Sequence, residues 1–239
     1  MTYNMQPSAD NALGSSAINS ILAKGPFVTK SITIEQDAGA IAGEYVVGRL
    51  LNVDVDGKYH LLAAAETTVA LAATTEVVID NMLAADGIVP RGFVLAQPPI
   101  PGTVHLATTA TGSATVVKEL GTDNGEGVGV GADGWFSIDY ETGKGVAYFT
   151  TATTDTHDLK AGYKHRTPDA ADSAETRMGM PKVILAEDVT LASVIAGDVR
   201  TIAYVSGGFN KELVLSYSAG YEKSLQKLGI HLITSTLAA

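Results

Sequence analysis

The feature that most constrains this chain is how short its apolar runs are. No helical repeat of apolar residues lasts beyond about three turns. Instead, β-branched stretches alternate with turns rich in glycine, proline and aspartate. Phe27–Ile34, Glu44–Leu51, Thr74–Ile79, Arg91–Ala96, Trp135–Tyr140, Val146–Phe149, Leu159–His165, Arg200–Ser206 and Ile230–Ile233 all read as strands. Asp54-Val55-Asp56-Gly57 reads as a hairpin turn, because Asp-Gly supplies the backbone that a tight reversal needs. One helix is expected, over Ala219–Leu228. Tyr221, Leu225 and Leu228 share a face there, Ser218 is placed to cap, Lys223 and Lys227 sit near the negative end, and Gly229 stops it. The fold class is therefore mainly β with one C-terminal helix.

Proline sets the expected domain organisation. Gln97-Pro98-Pro99-Ile100-Pro101-Gly102 cannot lie inside a sheet and reads as a stiff crossover. Beyond it, residues up to about 167 read as strand and turn, and residues 167–180 as a polar linker. Pro181–Ala186 then echoes Pro90–Ala96, as though the chain returns to an earlier unit. The expected division has a flexible arm at 1–25 and one discontinuous domain made of 26–97 and 178–239. An inserted small β-sandwich with its linker fills 98–177.

Composition excludes several function classes. The formal net charge of −10 disfavours contact with phosphate backbones. Lys164-His165-Arg166, the only basic cluster, is too short for a nucleic-acid stripe. Without cysteine there can be no disulfide and no thiolate nucleophile or ligand. No apolar run reaches the length of a membrane span, and the first residues lack the pattern of a secretory signal, so synthesis in the cytoplasm is expected.

Catalytic patterns are missing as well. The five histidines fall in no metal or triad spacing. Gly125–Gly131 contains G-x-G-x-G, but no helix opens after it to present amides to a phosphate. Asp54-x-Asp56-Gly57 lacks the later ligands of a calcium loop, and Asp123-Asn124-Gly125-Glu126 reads first as a loop. No enzyme activity, cofactor or metal is expected. Trp135, Phe136 and Tyr140 read either as the core of a small β unit or as an aromatic platform for a sugar or partner.

A resemblance adds to this reading. Pro181–Val189, Gly207-Gly208-Phe209-Asn210 and Leu228–Leu232, in that order, resemble the head decoration proteins of lambda-like tailed phages. Gly43–Arg49 with Asp56–Tyr59 is similar to that family's earlier region. The resemblance implies a β-tulip type domain, without enzymatic activity, that binds the capsid exterior as a homotrimer and cements the major capsid protein. It also implies an N-terminal arm that orders on the capsid, with Ile18, Ile21, Leu22, Phe27 and Val28 as contacts. The chain departs from the family by its length, and the middle unit, which resembles β-sandwich modules of phage structural proteins, is the excess. A tail-tube, baseplate or head-fibre protein is the nearest alternative, and a carbohydrate-binding module the next.

Overall fold

A computed structural model describes residues 21–37, 39–40, 43–63, 65–71, 90–110, 112–151, 157–166 and 180–234. The architecture is mainly β, built as two adjoining units. No helix among the described residues is long and apolar enough to cross a membrane.

The first unit is a small closed barrel. Its strands are β1 (Leu22–Ile34), β2 (Leu50–Val53), β3 (Tyr59–Leu61), β12 (Val183–Leu185) and β13 (Val199–Asn210). β1 runs antiparallel to β13 from Leu22↔Phe209 to Ile34↔Val199, and parallel to β3 at Ile34↔Tyr59. The β2–β3 hairpin and β12 complete the ring, and β14 (Ile230–Ile233) extends it, parallel to β13. Alternation separates two apolar clusters, since neighbouring residues on a strand face opposite ways. Ile32, Ile34, Leu51, Val183, Leu185 and Ala203 point inward. Leu50, Ile184 and Phe209 point outward and are covered by the C-terminal helix α2 (Glu222–Lys227) through Tyr221 and Leu225. A second short helix, α1 (Leu191–Ala196), contributes Val194 to the inner cluster.

The second unit is a sandwich of two four-stranded sheets. One contains β5 (Arg91–Val94), β10 (Lys144–Phe149), β9 (Gly134–Ile138) and β8 (Val128–Gly131), in that order. The other contains β4 (Thr67–Val69), β11 (His157–His165), β6 (His105–Ala110) and β7 (Val116–Thr122). Phe93, Leu95, Leu106, Leu120, Phe136, Phe149 and Leu159 form the core between them, each burial contributing about 1.5–3 kcal/mol. Gly129 explains the glycine run. A Cβ there would lie 2.1 Å from the Phe136 ring, so only glycine lets β8 close over it.

Several expectations need correction. The junction placed at 97/98 falls inside the sandwich, because β4 and β5 pair with β11 and β10. By hydrogen bonding the sandwich spans Thr67 to His165. The proline segment, read as a stiff crossover into a new unit, follows β5 inside the sandwich: Pro98, Pro99, Ile100 and Pro101 are buried, and Ile100 joins the cluster beneath α2. Residues 43–48 are turns, and strand begins only at Leu50. Ser218 makes no capping bond, and Leu228 is exposed. β13 does not end at Gly207-Gly208 but continues to Asn210. Gly207 is required there because a Cβ would lie 2.5 Å from Phe27. The strand expected at Thr74–Ile79 lies outside the described residues.

The arm also needs correction. β1 starts at Leu22, so Leu22, Phe27 and Val28 belong to a barrel strand. Phe27 packs on Tyr204 and Phe209 at centroid distances of 6.1 and 5.7 Å. Ile21 and Leu22 pack on the outer cluster, and the Ile21 carbonyl accepts from Asn210 N–H at 2.9 Å. Their apolar surface is therefore used within the chain. Val28 is exposed, and Ile18 lies outside the described residues. Truncation after residue 25 is accordingly expected to lower unfolding stability by about 2 kcal/mol in urea denaturation, against a chain that starts just before Ile21.

Candidate functional site

Among the described residues, a row across the outer face of the β8–β9–β10 sheet holds the most exposed large apolar side chain, Val130. Trp135 pairs in register with Val130 on one side and Tyr148 on the other. Strand alternation turns these three outward while Phe136 and Ile138 enter the core. Val130 is 71% exposed and Trp135 42%. The Trp135 and Tyr148 rings stack at 4.0 Å with 12° between their planes. The platform expected at Trp135, Phe136 and Tyr140 is thus corrected. Phe136 is fully buried, Tyr140 packs against the core from a turn, and Tyr148 is the partner that the structure brings to Trp135. The strand parity of Tyr148 is readable, but its register with Trp135 is not.

Tyr140 belongs to a buried clasp around Asp123. Gly102 N–H and Val104 N–H donate to this carboxylate at 2.7 Å each, Gly125 N–H donates at 3.1 Å, and the Tyr140 hydroxyl donates as well. Burial, followed by the Asp123 carboxylate, pushes the Tyr140 hydroxyl well above its ordinary range. Four donors occupy the carboxylate of the segment read from the sequence as a loop, so its role is to pin the entry of β6 against the β7–β8 and β9–β10 turns. Asp139 does similar local work, accepting from Glu141 N–H and the Thr142 hydroxyl in a turn rather than lying on a strand.

A second clasp joins the two units. Arg166, just past β11, donates from Nε to Ser218 Oγ at 2.6 Å, from Nη1 to Ala63 O at 3.1 Å and from Nη2 to Tyr217 O at 3.0 Å. The Ser218 hydroxyl donates to Glu66 Oε1 at 2.8 Å, and Lys164 pairs with Glu66 at 3.1 Å. The Ser218 hydroxyl is the largest influence holding the Glu66 carboxyl below its usual value; burial opposes it, and Lys164 and Arg166 assist. The short basic cluster is therefore a structural joint.

A third polar cluster lies on the barrel rim. Glu35 follows β1, Asp54 follows β2 and His60 is on β3. His60 Nε2 lies 2.9 Å from Asp54 Oδ2 and 3.2 Å from Glu35 Oε2. Lys58 Nζ sits 3.4 Å from Glu35 and 3.1 Å from Asp198. Burial acts to raise the Asp54 carboxyl, but the His60 and Lys58 hydrogen bonds prevail and hold it low. Sequence spacing hides this cluster because its members come from separate strands.

No family model, no curated protein and no solved structure matches this chain.

Proposed function

We propose that this chain is a non-enzymatic structural protein of a phage virion, which binds the outer surface of the expanded capsid as a trimer and cements its coat subunits. The observation that carries the reading is where the motifs fall. Gly43–Arg49 and Asp56–Tyr59 lead into β2 and β3, Pro181–Val189 spans β12, Gly207–Asn210 closes β13, and Leu228–Leu232 enters β14. Every segment that resembles a decoration protein lies in the barrel, and the excess length lies in the sandwich. A barrel docked on the coat would leave the sandwich projecting outward. Many equivalent copies would then multiply a modest contact energy through avidity. The partners are the major capsid protein and further copies of the chain, with no direct contact to DNA or membrane. Val28 remains available as a capsid contact, since the residue is 51% exposed.

The test is co-sedimentation of purified protein with expanded capsids lacking decoration, together with its solution mass. Saturable binding at one trimer per threefold position is expected. Protein left in the supernatant at saturating concentration would sink the reading. Ring or fibre assembly in the same mass measurement would favour a tail-tube, baseplate or head-fibre role.

A second reading is favoured by the Trp135–Tyr148 stack. Flat aromatic faces on a solvent-exposed sheet suit the apolar face of a sugar ring, which would make the sandwich a carbohydrate-binding module. The chain has a single tryptophan, so glycan-dependent quenching of its emission reports directly on that face.

A further inference from the structure

The geometry points to a divalent metal site on the barrel rim, formed by Glu35, Asp54 and His60 and suited to Zn²⁺. Their ligand atoms all lie within 4.8 Å of one another. The two separations from His60, 2.9 Å and 3.2 Å, approach the edge of about 3.3 Å between ligands in tetrahedral coordination with bonds near 2.0 Å. An imidazole with two carboxylates suits a borderline ion such as zinc, whereas calcium would need about six to eight oxygens. Waters would complete the coordination.

The backbone sets the ligands in place before any ion arrives. Glu35 N–H donates to Tyr59 O at 3.1 Å, tying the end of β1 to β3. Asp54 N–H donates to Lys58 O at 2.9 Å, closing the hairpin. Lys58 N–H donates to Asp54 Oδ1 at 2.8 Å, which turns Oδ2 towards His60. Only 12% of the His60 side chain and 10% of the Asp54 side chain are exposed, so little conformational freedom is left to lose.

Charge favours a dication. Three carboxylates, Glu35, Asp54 and Asp198, gather here beside a single ammonium, that of Lys58. Lys58 competes for Glu35 but keeps Asp198 when it is displaced. Zinc takes the lone pair of His60 Nε2, so any proton held there is released on binding.

The test uses the full chain without capsids, so it is independent of the cement role. Titration calorimetry with ZnCl₂ is expected to give one strong site per chain. His60→Ala should weaken it by at least about tenfold, and Asp54→Asn by a comparable factor. Lys58→Met should tighten it by about threefold or more, a gain that mere damage to the fold would not produce. Circular dichroism of each variant checks that the barrel persists. No heat of binding at about 1 mM zinc would overturn the assignment, as would binding unchanged in folded His60→Ala.

Discussion

Asp123→Ala should lower unfolding stability by about 3–5 kcal/mol, read from the denaturant midpoint at unchanged slope. The residue is 6% exposed, and its carboxylate accepts from three main-chain amides and the Tyr140 hydroxyl. Alanine removes every one of those acceptors at once, and each buried donor left without a partner costs about 1–3 kcal/mol. Partial refilling by water keeps the total below a simple sum. Asp123→Asn should recover no more than about half, because its amide nitrogen meets donors where the carboxylate offered oxygen. The amides of Gly102 and Val104 lie at the start of β6, so their exchange with solvent should quicken first. A loss below about 1 kcal/mol would show that water replaces the carboxylate and that the clasp is not what holds this corner.

Arg166→Met should cost about 3 kcal/mol, and its signature lies in cooperativity. The guanidinium bridges the end of a sandwich strand to Ala63, Tyr217 and Ser218 of the barrel. Removing it takes the donors from two part-buried carbonyls and weakens the joint, while the two cores are untouched. Calorimetry should then resolve two transitions where the parent shows one. Arg166→Lys should restore little, since an ammonium cannot present the same planar fork. A single transition at nearly the parent temperature would refute the joint.

The same joint predicts a pH dependence. The folded Glu66 carboxyl lies below its ordinary value of 4.5. A depressed folded value means that stability from this group is fully present above the ordinary value and is lost as pH falls through the folded one. Acid should therefore destabilise the parent below about pH 4.5 more steeply than it does Arg166→Met, which lacks part of that interaction.

Much of the fold was legible because strand chemistry is local. Alternation in Ile32–Ile34 and Trp135–Ile138, the Asp56-Gly57 turn and the stop at Gly229 each depend on a few adjacent residues. The echo between Pro90–Ala96 and Pro181–Ala186 misleads, because the first copy holds β5 of the sandwich and the second holds β12 of the barrel. The buried prolines show where local reading fails. A proline-rich segment reads as a stiff crossover between units, yet Ile100 packs in the cluster beneath α2, and that cluster exists only once distant elements have packed. Val194 and α1 were missed for a related reason, since a six-residue helix gives no periodic signal and is held by the barrel it caps.

The candidate sites divide in the same way. The sequence by itself determined that this chain is a β-rich, acidic, cysteine-free protein, because residue propensity, alternation and charge act over short distances or in sum. Only the tertiary structure decided that Phe27 belongs to a barrel, that Tyr148 and not Phe136 partners Trp135, and that Glu35 meets Asp54 and His60. Each of those depends on strand register, and register is fixed by pairing between segments far apart in the chain.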